Sequence, residues 1–319
     1  MNLKRGYQAP FFLSIPYGNA RMRITEFLKS FQTHRPFVVV LGHPVGHSLS
    51  PQIHNLAARH HNLNVIYHAV DCHPDDWGYI PDLLAHSHFR GGNVTIPLKK
   101  KIIDNLDAID ESALEIGAVN TIVPEPGGSS GTRRLLKGYN TDAFGFMKPL
   151  EGISDIKNVT VLGSGGAFNA VRYVLNRIGA EKIFLIRRTL RNGKESGKRD
   201  YGIPVETLTY ADIEKAVTAS DLIVNTTPVG MYPDTDGNPL PEAVHEHLKG
   251  KICYDIIYNP LVTNFLKVAK ENGAKTIGGL DMFVHQAARA FELWFSLPMP
   301  VDKVRKLVVD TIHSGKQSE

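Results

Sequence analysis

Beyond Pro36 the chain sets out three short apolar runs, Phe37 to Leu41, Asn64 to Val70 and Arg90 to Thr95, each followed by residues at helical spacing, after Ser50, Pro74 and Pro97 respectively. Runs of this length bounded by glycine, proline and polar clusters predict strands, and their alternation with helices predicts an open, parallel α/β sheet. Ala118 to Val123 and Arg133 to Tyr139 read as a strand pair around residues 125–131, whose Pro-Gly-Gly-Ser-Ser-Gly segment is a turn signal. A second series starts near Ile156, with strands at Val159, Ile183, Leu222 and Ile252. Two final helical patterns, Leu280 to Phe295 and Val301 to His313, are expected to return to the first unit. Upstream, Met22, Ile24, Phe27, Leu28 and Phe31 fall in a loosely helical pattern with Arg21, Arg23 and Lys29 among them, which reads as a docking helix or an extension before a targeting peptide.

At 319 residues the chain suits two domains, each with its own apolar centre. Its 36 basic and 32 acidic side chains nearly balance, the surplus is local, and nothing resembles the basic stripe of a nucleic-acid-binding chain. Cys72 and Cys253 each sit in or beside an apolar run and read as reduced core thiols of a cytoplasmic protein. No apolar run reaches the roughly 20 residues of a membrane helix.

The run ending at Leu162 breaks into Gly163-Ser164-Gly165-Gly166-Ala167 before a helical pattern resumes. A strand ending in glycines lets the backbone turn tightly against a pyrophosphate, whose charge is met by the N–H groups opening the next helix. Phe168 stands where a strict G-x-G-x-x-G places its third glycine, leaving close helix–strand packing to Ala167 and Ala170. Plain loop punctuation would use the same residues. The following strand, Lys182 to Ile186, ends in Arg187-Arg188-Thr189-Leu190-Arg191, where an NAD site offers a carboxylate to the ribose. Guanidinium and hydroxyl groups bind the 2′-phosphate that a carboxylate would repel, so NADP is expected over NAD. A solvated basic loop is the alternative, since Lys194, Lys198 and Arg199 prolong the charge run.

Short hydroxyl and amide side chains recur at the ends of the first series of strands, where an open α/β sheet forms its ligand crevice. They are His47-Ser48-Leu49-Ser50-Pro51, Asn93-Val94-Thr95 with Lys99, Gly117 to Thr121, and Gly138 to Asp142. Singly, Ser50 or Asp142 reads as a helix cap and Asn120 or Asn140 as a turn residue; together they suit a hydroxylated, anionic small molecule.

These segments carry a resemblance. HSLSP (47–51), NVTIPLK (93–99), GAVNT (117–121), GYNTD (138–142), GSGGA (163–167), NTTPVGM (225–231), YDIIYNP (254–260) and GLDMFVHQ (279–286) resemble, in order, the motifs of the shikimate dehydrogenase family. The resemblance covers about Phe37 to the C-terminus. It implies reversible reduction of 3-dehydroshikimate to shikimate with NADPH, on the route to chorismate and the aromatic amino acids. It implies Lys99 as the group that gives a proton to the allylic oxygen and takes it back in reverse, with Asp142 holding that lysine and a substrate hydroxyl. Ser48, Ser50 and Tyr258 would hold the carboxylate; Asn93, Thr95, Asn120, Asp142 and Gln286 the ring hydroxyls. On the cofactor side it implies Gly163, Ser164, Gly165, Gly166 and Ala167 for the pyrophosphate, and Arg188, Thr189 and Arg191 around the 2′-phosphate, where the charge of Arg187 adds to theirs. Thr226, Ile256, Gly279 and Met282 would lie near the nicotinamide.

The corresponding architecture is an N-terminal open α/β substrate domain and a Rossmann-type NADP-binding domain, with C-terminal helices returning to the first. The expected boundaries are 1–34 for an extension, 35–143, 144–282 and 283–319. Asp281 stands where the family commonly has glycine, and Arg187 where many members have asparagine. His43, His54, His68 and His285 show no metal-ligand spacing and read as structural. Two other readings stay open: a quinate/shikimate dehydrogenase of broader range, and a sensor that keeps the pocket without turnover. A monomer or a homodimer would serve.

Overall fold

The computed structural model describes residues 22–127, 134–189 and 202–315. Among these residues the strands form two sheets, one seven-stranded and one six-stranded. The first contains β1 (Met22–Arg23), β2 (Phe37–Gly42), β3 (Ile66–Asp71), β4 (Phe89–Val94), β5 (Ala108–Ile109), β6 (Thr121–Glu125) and β7 (Leu135–Tyr139), in the order β1-β3-β2-β4-β6-β7-β5. It is not wholly parallel: β6 runs antiparallel to both β4 and β7, because the predicted strand pair is inserted into the sheet as a hairpin.

The first helices are α1 (Ile24–Lys29), α2 (Ser50–His60), α3 (Ile80–Ala85), α4 (Glu111–Ile116) and α5 (Thr141–Met147). Residues 22–34 do not lie outside the first unit as an extension. β1 pairs with β3, and Ile24 and Phe27 of α1 are fully buried among Phe37, Phe89 and Leu83, with the Phe27 ring edge-on to Phe37 at 5.2 Å. The segment is short, and its apolar residues are covered only once β2, α3 and β4 supply Phe37, Leu83 and Phe89.

The second sheet, β8 (Asn158–Leu162), β9 (Lys182–Arg187), β10 (Val205–Thr209), β11 (Leu222–Asn225), β12 (Ile252–Asp255) and β13 (Lys275–Ile277), is parallel throughout in the order β10-β9-β8-β11-β12-β13. Numbered within the unit this is 3-2-1-4-5-6, the order of dinucleotide-binding sheets, whose ligand crevice opens where the order reverses, beyond β8 and β11. Val159, Val161, Ile183, Leu185, Leu222 and Val224 have almost no exposure, as strands covered on both faces require. The covering helices include α6 (Phe168–Arg177), α7 (Ile213–Ala219) and α8 (Asn264–Glu271).

The chain then enters α9 (Gly279–Phe295) and α10 (Val301–Gly315), which pack back on the first unit as expected: Trp294 Nε1 donates to the Ile122 carbonyl at 2.9 Å, and Val304, Val308 and Ile312 share a core with Ile53 and Ala57 of α2. α9 crosses α5 at Gly145, where an added Cβ would lie 2.5 Å from the Met282 carbonyl oxygen. Phe146 of α5 stacks on Tyr254 of β12 at 4.7 Å, so α5 is wedged between the returning helix and the second sheet.

Candidate active site

The strand ends named by the sequence converge. Lys99 follows β4, Asn120 precedes β6, and Asp142 lies in the first turn of α5. Lys99 Nζ donates to Asp142 Oδ2 at 2.5 Å, and Asn120 Nδ2 donates to Asp142 Oδ1 at 2.8 Å. The Lys99 and Asp142 side chains keep 18% and 14% exposure, so the pair is confined yet open to a ligand. Asn140, not Asp142, caps α5 by accepting from Ala143 N. That leaves the Asp142 carboxylate free of capping and close to the positive end of the helix dipole.

The wall beside this pair is amide and hydroxyl. Asn93, buried on β4, donates from Nδ2 to the Asn120 carbonyl at 3.2 Å and to Thr121 Oγ1 at 3.1 Å, and accepts from the Tyr67 hydroxyl at 2.7 Å. Thr95 turns its methyl group over Gly42, where an added Cβ would stand 2.3 Å away. Ser48 Oγ accepts from Ser50 N at 3.2 Å, and buried Ser50 opens α2. Tyr258 comes from the loop after β12: its ring stacks on Phe283 at 4.2 Å, and its hydroxyl lies against the backbone of Leu49, placing it at the Ser48–Ser50 loop. Burial raises the Tyr258 pKa, so its hydroxyl stays protonated and can donate. Gln286 lies across from Gly145 on α9, its amide nitrogen donating to the Phe283 carbonyl.

The glycine turn after β8 has the form a phosphate loop requires. Gly163 adopts φ +94°, and a Cβ there would meet Thr227 Cγ2 at 2.8 Å; Gly165 has open space, and Ser164, Gly165 and Gly166 are exposed. Phe168 tucks into the core beside Ala170, taking over the packing of the absent third glycine. Thr226 spends its hydroxyl on the turn itself, donating to the Leu162 and Gly163 carbonyls at 2.8 and 3.0 Å. Arg187 also reaches the turn: its Nε donates to Ser164 Oγ at 2.8 Å, while Arg188 and Thr189 are exposed beyond it. Arg191 lies outside the described residues.

Gly279 sits against the Ile256 carbonyl, 2.3 Å from where its Cβ would be, and buried Met282 follows one turn on. An added Cβ on Gly166 would be 3.8 Å from Ile96, so the phosphate turn and the loop carrying Lys99 face each other across one cleft.

Sequence reasoning passed over Asp255, which ends β12 without exposure. It accepts from Thr263 Oγ1 at 2.7 Å, Ile257 N at 3.0 Å and Asn225 Nδ2 at 3.1 Å, fixing the loop that carries Ile256 and Tyr258. Asn225 and Asp255 both end their strands inside motifs already noted, but their pairing in register exists only in the folded sheet. Burial pushes the Asp255 carboxyl up to about 6, outweighing those hydrogen bonds. Between the unfolded carboxyl range near pH 4 and that value the native protein binds the extra proton, so stability contributed by this group is present at low pH and falls as pH rises through the window. In thermal melts, Asp255→Asn should therefore gain on the parent between pH 4 and pH 7, by an amount on the order of 2 kcal/mol. A gain of the same size at both ends would show that this carboxyl does not titrate there.

The four histidines have structural surroundings. His43 Nδ1 bonds Asp71 at 2.6 Å; burial lowers His54 to about 3 and His68 to about 4, and also lowers His285. Asp281 turns away to Arg305 of α10, with which it pairs. Among the described residues no cluster of three or more His, Cys, Asp or Glu could hold a metal, and no helix is long and apolar enough to cross a membrane. Burial holds both thiols protonated, pushing each up to about 12.

Residues 40–122 match the family model described as shikimate dehydrogenase substrate binding domain, and residues 279–309 match shikimate 5′-dehydrogenase C-terminal domain. Over 272 residues the chain is 42% identical to the shikimate dehydrogenase (NADP(+)) of Moorella thermoacetica, covering 83% of this chain and 89% of that one. Among solved structures, shikimate 5-dehydrogenase from Thermus thermophilus in complex with NADP(H) and shikimate superposes with TM-score 0.70 at 33% identity, over 86% of this chain and 99% of that one. Quinate dehydrogenase from Corynebacterium glutamicum in complex with NAD superposes with TM-score 0.75 at 28% identity, over 86% and 98%.

Proposed function

The chain belongs to the shikimate dehydrogenase family, and from that premise we propose that it reduces 3-dehydroshikimate to shikimate reversibly, with NADPH, for chorismate and aromatic amino-acid synthesis. The observation that carries the reading is the Lys99–Asp142 couple, open at the mouth of a hydroxyl-binding wall and facing a glycine turn fit for a dinucleotide. When bound, the nicotinamide supplies or accepts the hydride at the ring carbon bearing the allylic oxygen. This chain's own residues do the rest. Lys99 hands a proton to that oxygen during reduction and recovers it during oxidation. Asp142 keeps the ammonium in place and accepts a neighbouring hydroxyl, and Asn120 holds Asp142 in turn.

Ser48, Ser50 and Tyr258 hold the carboxylate; Asn93, Thr95, Asn120 and Gln286 take the remaining hydroxyls. Gly163 to Ala167 hold the pyrophosphate through backbone N–H groups, with Arg187, braced by Ser164, and Arg188 and Thr189 around the 2′-phosphate. Thr226 acts by shaping the turn, and Ile256, Gly279 and Met282 line the nicotinamide end. In this reading residues 22–143 with the two C-terminal helices hold substrate, residues 144–282 hold cofactor, and the cleft between them closes over both ligands. The enzyme works in the cytoplasm on diffusing small molecules, as a monomer or homodimer.

Absorbance of reduced nicotinamide, followed with shikimate or quinate and with NADP or NAD, tests this. Turnover is expected with shikimate and NADP; a preference for quinate or for NAD would move the chain toward the Corynebacterium relative, and no turnover in any combination would mean a binding protein.

A further inference from the structure

The wall that faces the substrate is wired in one direction. The Tyr67 hydroxyl donates to Asn93 Oδ1 at 2.7 Å, Asn93 Nδ2 to Thr121 Oγ1 at 3.1 Å, Thr121 Oγ1 to Asn120 Oδ1 at 2.9 Å, and Asn120 Nδ2 to Asp142 Oδ1 at 2.8 Å. Lys99 closes the series on the other carboxylate oxygen. The Asn120 backbone carbonyl, which only accepts, lies 3.2 Å from Asn93 Nδ2 and fixes which end of that amide faces it. Both hydrogens of Asn93 Nδ2 are thereby used. What Asn93 retains for a ligand is the second lone pair of Oδ1.

Tyr67 stands at the head of this series and is clamped. Its ring lies flat on His54 at 4.5 Å and meets Trp294 at 6.0 Å; its backbone N–H and carbonyl both bond the Asn55 side chain, at 2.8 and 2.9 Å. His54 is 2% exposed with neither ring nitrogen hydrogen-bonded, a neutral spacer beneath the phenol. The Ser50 hydroxyl interacts with the same phenol oxygen, so one side chain touches both the serine assigned to the carboxylate and the amide assigned to a hydroxyl.

We propose that Tyr67 is a positioning residue that holds Asn93 as an acceptor-only reader, so that the ring hydroxyl facing Asn93 is admitted because it donates. This rests on reading the cleft as the shikimate site. A ketone placed against Asn93 would set lone pair against lone pair, whereas Lys99 offers it hydrogens, so the same wiring turns the ketone of dehydroshikimate toward Lys99.

The test measures kcat/KM for shikimate in the parent, Tyr67→Phe, Asn93→Ala and the double variant. It adds, in the parent alone, analogues in which either hydroxyl that is not oxidised is replaced by hydrogen or by fluorine. Tyr67→Phe is expected to lose about tenfold, carried by KM for shikimate with KM for NADP unchanged. In the Asn93→Ala background the same change should cost less than about twofold, because its partner is already gone. At both ring positions the fluoro and deoxy analogues should fall equally, by about tenfold or more, one facing the Asp142 carboxylate and the other Asn93 Oδ1, since fluorine accepts but never donates. Losses that multiply in the double variant, or a fluoro analogue that retains parental kcat/KM at either position, overturn the inference. A parent that does not turn over shikimate overturns the reading beneath it. The analogue series needs no variant, so it decides even where Tyr67→Phe folds poorly.

Discussion

Replacing Lys99 by methionine is expected to lower kcat for shikimate oxidation about a thousandfold while changing the shikimate dissociation constant less than about tenfold. Methionine keeps the length of the side chain and removes the ammonium, the one proton-transfer group bonded to Asp142 at the open face of the wall. Ring hydroxyls and carboxylate would still meet Asn93, Asn120 and the Ser48–Ser50 loop, so binding persists while the alkoxide that must form has no partner. Stopped-flow absorbance at the nicotinamide band gives the rate, and calorimetric titration gives the affinity. A kcat loss under about tenfold, or an equal loss in affinity, would remove Lys99 from the chemistry and leave it a binding group.

The second large effect concerns charge at the tip of β9. Arg188→Glu is expected to lower kcat/KM for NADP by about a hundredfold or more, with the value for NAD unchanged or improved. Arg187 is tied back to Ser164, whereas Arg188 is exposed one residue further on, where a 2′-phosphate would add about two negative charges. Reversal converts attraction into repulsion for NADP alone. Because the position is exposed, the difference should narrow in half-molar salt, where the Debye length falls to a few ångströms. An equal loss with NAD would mean that the substitution disturbs the glycine turn.

What the sequence made legible was what strand ends and periodicity control. β2, β3, β4, β8, β9, β11 and β12 lie where the apolar runs placed them, and the two last helices return as their amphipathic faces required. β10 and β13 were passed over because their burial is partial and no continuous apolar run marks an edge strand. The antiparallel insertion of β6 and β7 escaped for another reason: a hairpin signal says nothing of which neighbour it will join. Lys99, Asp142 and Asn120 came together as read, each at the end of an element. Asp255 and Tyr67 did not announce themselves, since a buried carboxylate or phenol acquires meaning only from partners on other elements, thirty or twenty-six residues away. Arg187 was read as reaching outward to a phosphate, and its bond to Ser164 could not be inferred before the pairing of β8 with β9.

The return of α9 bears on how the molecule is made. Trp294 covers Gly91 so closely that a Cβ there would lie 2.4 Å from the indole, and its ring also flanks His54 and Tyr67. During synthesis on the ribosome, the second sheet can close before Trp294 has left the exit tunnel, while the first sheet waits with its centre uncovered. A polypeptide stopped short of that residue would show apolar surface to chaperones and proteases with half its architecture finished. Competence for substrate is thereby tied to the arrival of α9, made only after the last strand of the second sheet.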